Sequence, residues 1–476
     1  MSSVNISTPA VYDVIVVGSG PSGGRLALEM IESGAKVLML EAGPYFKAKD
    51  FPKPEVLSSA HLFWGGGVEL NTSAQLGFLR ARAVGGTSIV NQALLDRFDD
   101  AVWTEWSDIS GIKFSDSYIE EAYSTVEKSL SLQKIEKKFF NKNSQLFTNA
   151  FDKKGLGWTP LRRGQTDCAL EKGNDCIVCL GGCHRNSKQS TMATWIARAE
   201  KKGLQVQANC EVESISSGDG SHKPVVISAF IKENGAKKPV QYQCRKLVLA
   251  AGSFGTSKIL LQSDYGAKAP ALGKGIACHP QYMSYSFFDE PIDAFKGAFQ
   301  AVKSDDKGLR KMGIKFENVF APPIATSMLF DGYGKKHQEI MKRYRYMSSM
   351  EVAIRDEASG ELAVKKGKLI IKKEITARDR ERANNGLKLV REMFDSVGGR
   401  ETIQCAQGFG LHLMGGCAIG TDSKKSVVAP DFSLHENKNV FIADSSIFPS
   451  APGLNPSLTI MAFSQMAATS VRKALT

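Results

Sequence analysis

Four consecutive apolar residues at 14–17, a glycine-rich turn, and then apolar positions at helical spacing predict a buried parallel strand feeding a helix over 21–33. A second apolar run at 36–40 predicts another strand, which ends in Glu41. Between 204 and 252 the period shortens. Runs at 204–210, 225–231 and 246–252, separated by turn-rich 216–221 and 233–235, read as a β-meander returning to the parallel sheet. Helical patterns from residue 103 onward read as cap and surface helices. Residues 279–404 carry alternating strands at 282–288 and 348–354 and close with a helix over 377–396, and a long helix is expected from 457 to about 473.

The turn after the first strand is Gly18-Ser19-Gly20-Pro21-Ser22-Gly23. Gly18 permits the tight turn, Gly20 lets a pyrophosphate approach the backbone, and Gly23 lets helix pack on strand. The helix beginning at Pro21 aims its first amides at the phosphates, with Ser22 among them. Glu41, followed by Ala42, stands where a ribose hydroxyl partner is expected, and its charge disfavours a 2′-phosphate. Strand, glycines, helix, strand and acid together indicate a dinucleotide site. Its position ahead of a long interrupted chain suits a flavin dinucleotide spanning the protein.

Length and composition narrow the class. A chain of 476 residues is expected to form two interleaved domains, and 42% hydrophobic with 23% charged residues is ordinary for a soluble protein. No apolar run reaches membrane-spanning length and the first ten residues lack a signal-peptide pattern, so a cytoplasmic location is expected. Nine cysteines, most of them isolated, argue against a secreted disulfide framework. The formal charge of +12 is spread over mixed segments, which leaves room for peripheral contact with an anionic membrane or an acidic acceptor protein. Aromatics are not interleaved with the basic runs, which excludes a nucleic-acid surface.

Further along comes Arg80-Ala-Arg82-Ala-Val-Gly85-Gly86-Thr87-Ser88-Ile-Val90-Asn91, backbone suited to lie flat against a planar ligand. Here the chain resembles the glucose-methanol-choline (GMC) flavin oxidoreductases. The resemblance implies FAD held by Arg82, Gly85, Gly86, Thr87, Ser88 and Asn91. Some members link the flavin through a histidine in this loop, and Val90 at the matching position implies non-covalent FAD. Ala251-Gly252-Ser253 resembles the family's second signature, with Ser257 where proline is usual, and Val212 is expected beside the cofactor.

Two C-terminal motifs carry the chemistry. His412 precedes a Gly415-Gly416 turn, and Asn455-Pro456-Ser457 opens the last helix. The pair resembles the family's His/Asn catalytic set of sterol and long-chain alcohol oxidases. An imidazole can take a hydroxyl proton near neutrality, an amide can orient the same oxygen, and a helix start at Pro456 and Ser457 can stabilise negative charge on a reduced flavin. Asp444 ends a strand at a second position expected to hold cofactor; Cys417 and His435 read as structural.

The loop Cys168…Cys176-Ile-Val-Cys179-Leu-Gly-Gly-Cys183 stays open. Packed or paired thiols, an iron–sulfur cluster on Cys176, Cys179 and Cys183, and a zinc site are all compatible with the spacing. The fold expected is α/β: a Rossmann-type FAD-binding domain (1–110, 166–278 with the cysteine loop, 405–476), cap helices (111–165) and an α+β substrate domain on an antiparallel sheet (279–404). The function expected is FAD-dependent oxidation of an alcohol, long-chain or sterol-like, with oxygen or another acceptor. A sugar or polyol dehydrogenase with an iron–sulfur relay and a flavin-containing hydroxynitrile lyase are the alternatives.

Overall fold

The computed structural model describes residues 11–172, 176–217, 223–263, 265–405 and 407–476, and builds them around two sheets. In chain order the elements that place the site begin with β1 (Val11–Val17), α1 (Pro21–Glu32), β2 (Val37–Leu40), β3 (Leu76–Phe78), β4 (Gln205–Gln207) and β5 (Ala236–Leu249). Then come α2 (Gly252–Leu261), β6 (Lys274–Phe287), β7 (Val302–Ser304), β8 (Ile314–Glu317) and β9 (Met347–Ile354). The last are α3 (Ala377–Ser396), β10 (Gly408–Met414), β11 (Asn437–Ile442) and α4 (Ser457–Leu475).

The first sheet runs β11-β5-β1-β2-β4 with every neighbour parallel. Its strands read as unbroken apolar runs because a parallel sheet is covered on both faces, and Val14, Ile15 and Val16 are fully buried. The meander is present, with strands Val225–Glu233 and Cys210–Ser217 antiparallel beside β5. The single strand expected over 204–210 divides at Asn209, whose φ of 53° turns the chain: β4 joins β2, and Cys210 starts the meander.

The second sheet runs β3-β10-β6-β9-β8-β7, antiparallel except where β3 lies parallel to β10. Alternation gives it two unlike faces. Ile314, Phe316, Met350, Val352 and Ile354 point to the back, where they pack with Val390, Met393 and Phe394 of α3. Gly386 permits that approach, since a Cβ there would sit 2.5 Å from Val352 Cγ1. The other face carries Lys315, Glu317 and Glu351 toward the cavity described below. This is the expected α/β architecture with a substrate sheet.

Helices Asp100–Ser110, Asp116–Lys128 and Lys142–Lys154 correct the surface-helix expectation. Trp106 is fully buried with its ring 4.6 Å from Phe448, and the Tyr123 hydroxyl pairs with Thr459 of α4 at 2.6 Å. Phe147 and Phe151 lie in the core beneath the second sheet. Among the described residues, no helix is long and apolar enough to cross a membrane.

Candidate active site

A cavity of about 630 Å³ runs from the β1–α1 turn to the second sheet. Of the residues singled out in the sequence, Gly18, Gly20, Pro21, Ser22, Glu41, Ala42, Gly86, Thr87, Asn91 and Val212 line it, as do Ala251, Gly252, His412, Asp444, Asn455, Pro456 and Ser457. Gly23, Arg82, Gly85 and Ser88 stand behind the wall and shape it. A Cβ on Gly23 would meet Gly18 O at 1.9 Å; Arg82 donates to Ala42 O at 3.2 Å; the Gly85 amide donates to Ser19 Oγ at 2.9 Å; and Ser88 Oγ donates to Gly85 O at 2.5 Å.

The dinucleotide end is a joint between two glycine turns. A Cβ on Gly86 would lie 2.6 Å from Gly20 Cα, so the turns touch and leave only backbone facing the cavity. Glu41 is drawn into this joint, accepting from the Ser19 amide (3.1 Å), Ser19 Oγ (2.6 Å) and the Gly43 amide (2.9 Å). Ser22 Oγ, at the start of α1, is buried with no partner among the described residues. An unmet hydroxyl beside helix amides fits a phosphate group. Asp444 has a full set of partners, accepting from the Gly252 amide, Thr256 Oγ1 and the Ser446 amide, so it clamps the start of α2 to the end of β11. Val90 lines the cavity, and His435, bonded to Ser426 and Gly420 O, and Cys417, beside Ser257, are structural as expected.

At the other end, His412 comes from β10 and Asn455 from the turn before α4, so two remote segments meet on one wall. His412 adopts a φ of 57°, left-handed backbone rarely used outside glycine and stored at sites where surroundings enforce it. Its Nδ1 lies 2.9 Å from Nδ1 of His279, a buried residue of β6 that sequence reading had passed over. His279 Nε2 in turn faces the Gly453 amide at 2.9 Å. That amide can only donate. Neutral His279 therefore keeps its proton on Nδ1 and gives it to His412 Nδ1, which leaves the His412 proton on Nε2. Burial first, then the Lys315 ammonium, bring the His412 pKa down to about 3, and burial, followed by His412, depresses that of His279 well below its usual value. Both rings are neutral at physiological pH.

Asn455 is oriented by the same cluster. Lys315 Nζ donates to Asn455 Oδ1 and pairs with Glu317, and Asp96 pairs with Lys303 at 2.6 Å and with Lys315 at 3.9 Å. An ammonium has no acceptor, so the amide oxygen must face Lys315 and the Nδ2 group is left for the cavity. Gln281, Gln300, Glu317 and Glu351 complete the polar wall. Phe63, Trp64, Leu94 and Leu180 supply apolar lining.

The cysteine loop serves this wall through packing. Lys188, almost fully buried, gathers the carbonyls of Ile89, Asn91 and Cys179, tying the loop to the segment after Gly86 and bringing Leu180 to the cavity. The Cys176 side chain lies outside the described residues, and among those described no group of three His, Cys, Asp or Glu is placed to hold a metal. The iron–sulfur expectation therefore has no support.

Residues 59–281 match the N-terminal and residues 364–464 the C-terminal model of the GMC oxidoreductases. The chain belongs to the GMC oxidoreductase family. Among curated GMC oxidoreductases and their kin, a long-chain-alcohol oxidase of Arabidopsis thaliana is 26% identical over 94% of this chain. The match takes in 65% of that protein, so this chain spans just under two thirds of the length of its plant relative. A cholesterol oxidase of Acinetobacter baumannii is 24% identical, covering 96% of this chain and 93% of its own. Pyridoxine 4-oxidase from Mesorbium loti shares the fold with a TM-score of 0.71 at 16% identity, covering 96% of this chain and 98% of that one. An FAD-dependent oxidoreductase from Chaetomium thermophilum does so with a TM-score of 0.73 at 16% identity, over 97% and 99%. Glycine joint, unmet Ser22 hydroxyl and helix starts make a donor set that fits the FAD of this family.

Proposed function

We propose that this GMC oxidoreductase oxidises an alcohol CH–OH group to a carbonyl, with non-covalent FAD held along the glycine joint and His412 and Asn455 flanking the carbinol oxygen. The observation that carries this reading is the convergence of those two side chains, from separate segments, on the cavity that also contains the β1–α1 turn. FAD, when bound, supplies the two-electron acceptor that no side chain provides.

Asn455 Nδ2 donates to the carbinol oxygen and fixes it without adding charge. The sequence assigns the base to His412. The proton order along the imidazole pair refines that role: with Nε2 protonated, His412 holds the oxygen by donation. To accept the hydroxyl proton, His412 must adopt its other tautomer: it gives its Nε2 proton to water and takes the Nδ1 proton of His279, which gains one on Nε2 from water and lets go of the Gly453 amide. The first amides of α4, beside Pro456 and Ser457, present positive potential where negative charge gathers.

A long-chain or sterol-like alcohol with oxygen as oxidant is supported by the names of the plant and bacterial relatives and by the apolar lining. A more polar alcohol is favoured by the carboxylates and amides on the same wall. Anaerobic mixing of the FAD-loaded protein with fatty, sterol, sugar and short polar alcohols tests the reading. Bleaching of the flavin is expected with at least one. A flavin bleached by none, or a His412→Ala protein reduced as fast as the parent, overturns it; a loss of about a hundredfold or more with flavin retained is expected for that variant.

A further inference from the structure

The cavity face of the second sheet carries two carboxylates side by side. Glu317 of β8 and Glu351 of β9 are register partners in an antiparallel ladder, where like charges repel. Their surroundings are unequal. Glu317 has the Lys315 ammonium and accepts from Gln300 Nε2. Glu351 is 7% exposed, lines the cavity and has no hydrogen-bond partner among the described residues. Gln300 Oε1 is buried close by and equally unmet. The cation that acts on Glu351, Lys315, is already shared among Glu317, Asp96 and Asn455.

The wall is therefore polarised. At the His412–Asn455 end it offers donors, Nε2–H and Nδ2–H, which suit the lone pairs of a carbinol oxygen. At the Glu351 end it offers acceptors. A bare alkyl chain laid across that end would seal a buried carboxyl group and an amide oxygen away from water with nothing to bond, which disfavours binding.

We propose that the substrate carries, beyond the carbinol, a second group that donates a hydrogen bond, a hydroxyl or a protonated amine, and that Glu351 receives it. Glu351 is then the residue that selects polar, bifunctional alcohols over simple alkanols. This rests on the alcohol-oxidising reading above and names the substrate class for it. Burial and the neighbouring Glu317, opposed by Lys315, push the Glu351 carboxyl up to about 8, so in the empty cavity it holds its proton at neutral pH; its carbonyl oxygen accepts from a hydroxyl, and a protonated amine draws it into the charged form.

The test compares butanol, its terminal diol and its terminal amino alcohol on the FAD-loaded full chain, in the parent and in Glu351→Gln and Glu351→Leu proteins whose flavin content matches the parent. The parent is expected to favour the diol or the amino alcohol over butanol by at least about tenfold in kcat/KM, carried mainly by KM. That preference should shrink in Glu351→Gln and vanish in Glu351→Leu; whichever bifunctional alcohol leads identifies the donor. Calorimetric binding of the three alcohols to a His412→Ala protein gives a readout independent of turnover. If butanol is bound or oxidised as well as the others, or the preference survives in Glu351→Leu, the proposal is overturned while the oxidation reading stands. If the binding preference is present but no alcohol bleaches the flavin, the proposal stands and the oxidation reading falls.

Discussion

His279 Nδ1 lies 2.9 Å from His412 Nδ1, and the Gly453 amide behind it determines which ring gives the proton. Gly453 belongs to the same turn as Asn455, so the protonation pattern of His412 is keyed to the loop that carries its amide partner. Replacing His279 by Phe removes both the donor to His412 and the acceptor for Gly453. Flavin reduction by alcohol is expected to slow by roughly 10- to 100-fold, the usual effect of losing a group that orients a catalytic ring. Glutamine, which can accept from Gly453 through Oε1, should recover part of the rate. Recovery of rate by the Gln variant at matched flavin content, which misfolding would not give, separates this from a structural defect.

The two buried histidines and Glu351 bias stability in opposite directions with pH. His412 has its pKa lowered to about 3 in the folded chain, against about 6.5 for a free imidazole. A depressed pKa means the folded state binds fewer protons, so this contribution is present above about 6.5 and is lost as pH falls toward about 3. The thermal midpoint should drop over that window, and a His279→Phe/His412→Phe protein should drop less.

Glu351 runs the other way. Its folded pKa is raised from 4.5 to about 8, so its contribution is complete below 4.5 and is lost as pH rises through about 8. Glu351→Gln should therefore gain thermal midpoint over the parent progressively between those pH values. A constant difference across the range would show that Glu351 is paired.

Lys315 holds Asn455, Glu317 and Asp96 at once, and methionine in its place keeps the length while stripping the buried Glu317 of its cation and leaving Asp96 to Lys303 alone. A destabilisation of about 3 kcal/mol or more is expected from denaturant unfolding, as for other broken buried pairs. Flavin reduction should fall as well, since nothing then dictates which way the Asn455 amide points.

At the opposite end, Gly86→Ala would drive a Cβ to 2.6 Å from Gly20 Cα at a φ of 53°. The joint cannot absorb this without separating the two glycine turns. The purified protein is expected to come off the column colourless and to regain little flavin absorbance on incubation with FAD.

The β1–α1–β2 unit was legible because everything that defines it is local: an apolar run, glycines at fixed offsets and an acid at the end of the second strand. Cys417 and His435 also sit as their surroundings in the sequence suggested. The polar wall was not legible. Lys315, Glu317 and Glu351 lie in short strands whose pairing depends on register between distant segments, and an isolated Glu in an apolar strand gives no hint of its neighbour. The strict alternation Ile314-Lys315-Phe316-Glu317 was the available signal, an apolar back and a charged front in four residues. His279 was read only as the opening of a domain, since its meaning comes from β10 lying alongside β6. The helices from Asp100 onward bury more than their sequence suggests, because the polar and charged residues between Val102, Trp103 and Trp106, or around Phe147 and Phe151, give no sign of the partners those rings meet.

His412 sits on a strand of one sheet and Asn455 on the turn that leads back to the other. The two side chains proposed to meet the carbinol are therefore brought together only when both sheets are in place. On that proposal, a variant that loosens the second sheet alone should lose flavin reduction while still taking up FAD at the β1–α1 turn.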